Sequence, residues 1–375
     1  MKHTTLSLTL LSALIIYGHS SCIKDEPLNR EADIEDIIVE DNTFIDRSIA
    51  EDNTIELVLS GSAILSEIKP TITLSPGATV EPASGTTVDF SDGKQVVYTV
   101  TSQDKQYTKQ YTVRVSEIKS LKYDFDGWSM AGTEKYPFPI LTDPAWSNAN
   151  TGVVLAIMMK AIDPDRYPTD KGVGEDVVKG AHSASLQTIE GGTILGKYYA
   201  IFAGNLLRGD FSANMSNPLK SLKLGRNHPK ELGKPALFKG YYKYTPGKVM
   251  TDKNGNEMVG KTDKFSMYAA IFRVTKGAEP KNEYLDGETI LTSERVVARA
   301  EWDPTSTKMV ERAAVNGFTE FYIPFEYTGT LNYDEYDYRL TIVCSSSKDG
   351  NLYEGAVGST LVVDELEITC DPIND

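Results

Sequence analysis

The chain has 375 residues, of which 53 are acidic and 38 basic, giving a formal net charge of −15. That balance excludes nucleic acid as a partner, because neutralising phosphates requires a clustered basic face. Three cysteines are too few for a disulfide scaffold or a Cys-rich metal site, and past the N-terminal segment no stretch stays apolar for the roughly 20 residues a membrane helix needs.

At the N-terminus, Lys2, an apolar run from Leu6 to Tyr17 and the small residues Ser20 and Ser21 read as an export signal over residues 1–21. Cys22 then starts the mature chain. Its thiol is the acceptor that lipoprotein processing uses, and acyl chains there would hold the protein at a membrane surface. Ordinary cleavage with a soluble product is the alternative. His19 stands where a lipobox usually carries an aliphatic residue. Cys22-Ile23-Lys24-Asp25-Glu26 resembles the acidic tag that sends lipoproteins of certain Gram-negative gut anaerobes to the outer face of the outer membrane. The resemblance implies an exterior-facing, lipid-anchored protein with outer-membrane proteins as neighbours.

Residues 22–36 are mostly charged and polar and read as a solvated, lipidated tether. From residue 37 short strands follow. Ile55, Leu57 and Leu59 alternate, as do Ile72 and Leu74; Pro76-Gly77 and Ser84-Gly85 mark turns. Val96 to Thr101 and Tyr107 to Val115 flank a polar tetrapeptide and predict a hairpin with Tyr111, Val113 and Val115 on one face. Six or seven strands over residues 37–118 predict a small immunoglobulin-like sandwich.

Residues 119–375 predict a larger, antiparallel β unit, for which a jelly-roll sandwich is the natural architecture. Its strands are placed at Leu186–Ile189, Lys197–Ala203, Ala236–Tyr244, Phe265–Val274, Val296–Trp302, Phe318–Tyr327, Tyr338–Ser345 and Ser359–Thr369. Helical signal is weak. The expected fold class is therefore all-β throughout. Only His182 and His228 lie beyond the signal, no H-E-x-x-H spacing occurs and no G-x-S-x-G elbow follows a strand, so zinc hydrolysis and Ser-His-Asp chemistry are disfavoured. Cys344 and Cys370 either pair or stay as buried thiols.

Saccharide recognition needs flat aromatic faces with amides and carboxylates around them. Trp146, in a Pro-, Ser- and Asn-rich segment read as a loop, is the leading ligand candidate, with Asn148 and Asn150 as polar partners. Packing against the core edge is the competing reading. Trp128 and Tyr242 are further ligand candidates, each with packing as its alternative, and Trp302 reads as a packing residue. Counting by twos from Val362 puts Asp364 on an otherwise apolar face. It is either an oxygen ligand of a structural calcium, a residue at a register-shifting bulge, or hydrogen-bonded to backbone. Glycoside hydrolysis would need two carboxylates across a cleft, with Asp163, Asp165, Glu175 and Asp176 as loop candidates.

Asn205-Leu206-Leu207 through Leu224-Gly225-Arg226, Lys234 through Gly247, Ser345-Ser346-Ser347-Lys348-Asp349-Gly350 and Gly355 through Leu366 together resemble the family named putative carbohydrate metabolism domain. The similarity spans roughly residues 120–370, and the preceding segment looks like the immunoglobulin-like domain that often accompanies the family. Asn227-His228 departs from the Pro and aromatic expected after Gly225-Arg226. The resemblance implies a galactose-binding-like jelly roll in a lipoprotein of glycan utilisation, with no established reaction and calcium near the last strand as a candidate cofactor. The expected function is non-catalytic glycan binding at the cell surface, with a glycoside hydrolase and an adhesive or structural surface protein as alternatives.

Overall fold

A computed structural model of the chain describes residues 27–41, 43–116, 119–214, 217–278 and 283–373. Cys22 and the signal segment lie outside them. Among the described residues no helix is long and apolar enough to cross a membrane.

The first domain is the expected small sandwich. A five-stranded sheet in the order 44–49, 54–59, 108–115, 96–101, 79–81 faces a two-stranded sheet of 34–39 and 70–74. The alternation of Ile55, Leu57 and Leu59 buries all three, and the predicted hairpin pairs Thr101 with Thr108, placing Tyr111 and Val113 in the core. The tether ends sooner than its composition suggests. Asn29 N–H donates to Gln103 Oε1 at 2.8 Å, and Ala32 and Ile34 are buried. Asp33 accepts from Lys109 Nζ at 2.6 Å and Tyr111 Oη at 2.8 Å, which holds its carboxyl below the usual range. Two apolar residues hidden among acids thus carry the first strand back to Ile34.

The second domain stacks an eight-stranded sheet on a seven-stranded one. The first runs 146–147, 205–211, 336–345, 266–275, 296–301, 326–327, with 222–224 also on 205–211 and 226–227 also on 336–345, and the second 169–172, 183–187, 360–371, 234–245, 319–324, 310–313, with 119–123 also on 360–371. Between them lies a core that includes Leu186, Phe238, Ala269, Phe321, Leu340 and Val363. The predicted strands are present within a few residues except Leu186–Ile189, which straddles the break at Thr188 between Ser183–Gln187 and Ile189–Ile194, strands of two different sheets. The stretch expected at Phe318–Tyr327 is split: Thr319–Pro324 pairs in one sheet, then Glu326–Tyr327 crosses to pair Ala298 and Arg299 in the other. Pro324, which has no N–H for a ladder, sits at that corner. The one α-helix among the described residues, Asn150–Met158, was not legible, because its run of Val, Leu, Ala, Ile and Met lacks a polar face.

Cys344 and Cys370 are separate buried thiols on opposite sheets, and burial pushes both thiols up. The domains meet along the last strand. Gly61 N–H and Ser60 Oγ donate to Asp371 Oδ1 at 2.6 and 2.8 Å, and Thr369 Oγ1 donates to Gly61 O. Arg312 pairs with Glu67 and stacks on Tyr322, so Tyr322 is buried although it faces away from the core. A Cβ on Gly61 would lie 2.8 Å from the Cys370 backbone carbon, closer than van der Waals contact permits. Gly61→Val is therefore expected to part the domains while each keeps its fold. Small-angle scattering would show a larger radius of gyration; an unchanged profile would mean that this contact does not set the domain arrangement.

Candidate functional site

Trp146 belongs to the core. It forms a two-residue edge strand against Leu207 and Arg208, and meets Tyr123 and Phe125 edge to face with ring centroids 5.0 and 5.1 Å away. At 5% exposure it borders a recess of about 380 Å³ but offers no open ring face for stacking. Asn148 and Asn150 are committed to backbone. Asn150 Nδ2 donates to Pro139 O at 3.0 Å and Thr169 O at 2.7 Å, and its Oδ1 accepts Thr169 N–H at 3.2 Å. Asn148 Oδ1 accepts Asn150 N–H at 3.0 Å as the helix begins. The Asn-rich segment anchors the helix to its neighbouring strands rather than facing a ligand. Trp128 is half-buried with its indole N–H on Phe125 O at 2.8 Å. Tyr242 is buried, its hydroxyl donating to Glu311 at 2.7 Å.

Asp364 occupies a bulge. The core-facing residues are Leu361 and Val363 before it and Leu366, Ile368 and Cys370 after it, so the strand changes phase at Asp364-Glu365. Glu365 takes a left-handed φ of 47°, and the partner strand slips register between Lys239 and Tyr241. The carboxylate accepts N–H groups from Val178 at 2.7 Å, Lys179 at 3.3 Å and Glu365 at 2.9 Å. Three N–H donors are the surroundings of an anion, and among the described residues no three His, Cys, Asp or Glu side chains gather as a metal site. The residues around Asp364 do not fit calcium. Burial pushes its carboxyl up to about 6 against the pull of those donors. Asp126 performs the same task nearby, accepting Ala181 and His182 N–H, so two carboxylates pin the 177–182 loop. His182 Nδ1 lies 3.0 Å from Asp126 O.

A cleft of about 420 Å³ lies on the outer face of the eight-stranded sheet. Pairing register builds its floor: Leu207, Val343, Tyr268 and Glu301 form one row across four strands, and Asn205, Ser345 and Ser266 form the next. Because side chains alternate, the opposite residues of the same strands fill the core. Tyr199 and Phe202 come from the hairpin of 189–194 and 197–202, Tyr353 from the turn after Gly350–Leu352, and Phe211 from another wall. Tyr199 and Tyr353 meet edge to face at 4.7 Å, with Lys197 Nζ 5.0 Å from the Tyr199 ring. Tyr353 holds φ at 61°. Asp349 and Asn351 line the same cleft and make no side-chain hydrogen bond to described residues.

A second cavity, of about 460 Å³, opens where the Phe318–Tyr327 stretch changes sheets. It shares Ser266, Glu301 and Lys348 with the cleft, so the two adjoin. Trp302 lines it, packed on Phe265 at 4.1 Å and fixed by its indole N–H on Glu311 at 2.9 Å. Tyr242 therefore supports the tryptophan that borders this cavity, through the shared Glu311 carboxylate. Asp163, Asp165, Glu175 and Asp176 line neither cavity, and Asp176 is engaged by Lys243 at 2.5 Å.

Beneath both cavities runs a buried polar hub. Asp263 Oδ2 accepts from Ser347 Oγ at 2.6 Å, Ser359 Oγ at 2.7 Å and Ala356 N at 2.8 Å, while Oδ1 accepts Lys264 N at 2.8 Å. Ser346, Ser347, Ser359 and Thr188 are all buried with it. The Ser345-Ser346-Ser347 run was a visible signal; its partner Asp263 was not, standing alone before an apolar strand.

A family profile described as "Putative carbohydrate metabolism domain" matches residues 92–369, and one described as "SGBP, N-terminal" matches residues 37–115. A structure described as a putative glycoside hydrolase from Bacteroides thetaiotaomicron is 29% identical over 94% of this chain and 99% of its own, with a TM-score of 0.51. Another, described as a putative glycoside hydrolase from Bacteroides vulgatus, is 27% identical over 67% of this chain and 98% of its own, with a TM-score of 0.54. No curated protein matches. With an immunoglobulin-like sandwich ahead of a two-sheet domain and a profile match over most of its length, the chain belongs to the putative carbohydrate metabolism domain family.

Proposed function

We propose that the protein binds a glycan in the cleft on the outer face of its eight-stranded sheet, as a lipoprotein anchored through Cys22 to the outer membrane and facing the exterior. The observation that carries this reading is the cleft itself: about 420 Å³ walled by the partly exposed rings of Phe202, Phe211 and Tyr353, the last packed on buried Tyr199, with Asp349 and Asn351 unengaged beside them. Aromatic rings cover the C–H faces of a sugar, and free amide and carboxylate groups take its hydroxyls. The carbohydrate-associated family and the acidic, nucleic-acid-averse charge support the same reading.

Catalysis is a second reading, supported by the description of the two relatives and by one feature of register. Arg299 pairs with Glu326, so Glu301 lies diagonally from Glu326 on the same face beside the Trp302 cavity. Such diagonal positions stand about 7–8 Å apart, within the range of glycosidase carboxylate pairs. A glycan array probed with residues 23–375, followed by a reducing-end assay on every hit, separates the readings. Binding without cleavage, weakened about tenfold or more by Tyr353→Ala, is the expected result. Cleavage abolished by Glu301→Gln would establish the hydrolase, and no hit on the array would turn attention to an adhesive role.

A further inference from the structure

The cavity beside Trp302 holds two cations without bonded counter-charges. Lys348 N–H donates to Lys264 O at 2.6 Å, so the two residues sit side by side on adjoining backbone, and both line the cavity. Neither Nζ has a hydrogen bond or an ion pair among the described residues, in a protein of net charge −15. The carboxylate that acts on both electrostatically, Asp303, is already engaged by Thr305 N–H at 2.9 Å and Thr305 Oγ1 at 2.8 Å. The other charges are matched: Lys308 with Glu326 at 2.8 Å, and Arg299 with Glu301 at 3.9 Å. The lysines are not there by slack in the chain, since Asp263 fixes Lys264 by its N–H and Ser347 immediately before Lys348.

Both cations act on a single carboxylate, Asp303, that is already engaged, so an anion entering the cavity meets two cations without bonded counter-charges. Trp302 supplies a fixed indole in the same cavity, and Lys348 and Glu301 border the aromatic cleft as well. We propose that this cavity is a subsite for an acidic sugar unit, a uronate carboxylate or a sulfate ester, received between Lys264 and Lys348 with the ring over Trp302. A glycan lying in the cleft would carry its neutral units on Phe202 and Tyr353, the partly exposed rings, and its charged unit here. The inference rests on the glycan-binding reading and adds the class of ligand.

Titrating the full mature chain with glucuronate, glucose 6-sulfate and glucose at low salt, followed by tryptophan fluorescence with Trp302→Phe as the control for signal origin, tests it. At least one acidic sugar is expected to bind about tenfold or more tighter than glucose, with the preference lost in Lys264→Gln/Lys348→Gln and reduced as ionic strength rises. Whichever acid responds identifies the carboxylate or the sulfate as the source. Both lysines are exposed, so the double variant keeps the parent melting temperature, which is checked alongside. Glucose binding as tightly as both acids, an acid preference that survives the double substitution, or no response to any of the three overturns the subsite. Array hits confined to neutral glycans and lost with Tyr353→Ala would leave the cleft reading standing while removing the subsite. A silent array with a positive titration would do the reverse.

Discussion

Asp263→Ala is expected to destabilise the larger domain by about 3–5 kcal/mol, because it strips a buried carboxylate from several donors at once. The direction of the chain of hydroxyls makes the loss concerted. Ser347 Oγ donates its one hydroxyl proton to Asp263 Oδ2, so it accepts from Thr188 Oγ1 at 2.6 Å. Thr188 in turn accepts from Ser346 at 2.8 Å, and Ser346 accepts Gly204 N–H at 2.9 Å. The polarised run Gly204, Ser346, Thr188, Ser347, Asp263 ties four separate segments to one acceptor. Alanine leaves Ser347, Ser359 and the Ala356 and Lys264 N–H groups without that acceptor. A fall in melting temperature on the order of 10 °C follows for a domain of this size. Asp263→Asn, which keeps one acceptor oxygen but turns an amide N–H toward Lys264 N–H, should lose less. An unchanged melting temperature in Asp263→Ala would show that the hub is not structural. Because the hub holds both Lys348 and the turn leading to Tyr353, the proposed glycan binding should fall with stability.

Asp364→Asn is expected to make the protein sensitive to mild acid, through a balance between two buried groups. Burial pushes Asp364 up to about 6 from 3.8, so between those values the folded state holds the proton more tightly and acidification stabilises it. His228 behaves oppositely. Its Nε2–H donates to Gly233 O at 2.8 Å, leaving Nδ1 without a proton or a partner, and burial lowers its pKa from 6.5 to about 4, with the Arg208 charge adding to the effect. Between pH 6.5 and 4 the unfolded chain protonates this imidazole first, so stability falls as pH falls. Each contribution is up to about 3 kcal/mol, and in the parent chain they oppose each other over much the same window. Asp364→Asn removes the acid-stabilising partner, so its melting temperature should drop more steeply than the parent's from pH 6.5 to 4.5 while staying comparable near pH 7.5. His228→Gln, whose amide can still donate to Gly233 O, should gain stability on acidification. Parallel pH profiles for Asp364→Asn and the parent would refute the opposition. The melting temperature of the parent should not respond to chelator, since the Asp364 oxygens already accept three N–H groups.

Strands were legible wherever one face is buried and the other is not. The Ile55, Leu57, Leu59 alternation and the hairpin ending at Val115 were read directly, since a period of two maps onto the two faces of a sheet. Asp364 was recognisable as an anomaly, because a carboxylate on an apolar phase demands an explanation. The phase change at Glu365 supplied it. The residues of the proposed site were not legible. Trp146 and its two asparagines have the composition of a sugar site, yet the same amides are spent on backbone groups at the helix start and on neighbouring strands. Trp302, read as packing, borders a cavity because Phe318–Tyr327 changes sheets beside it.

By itself the sequence determined the all-β class and the order of a small sandwich ahead of a larger one, because each follows from local pattern. Only the tertiary structure decided which aromatics are open and which polar groups remain unengaged. Phe202 and Tyr353, both partly exposed, come from segments far apart in the chain and line one cleft through sheet and hairpin packing. A side chain's availability depends on what the rest of the chain gives it as partners, and that is a property of long-range contacts that no single stretch of sequence contains.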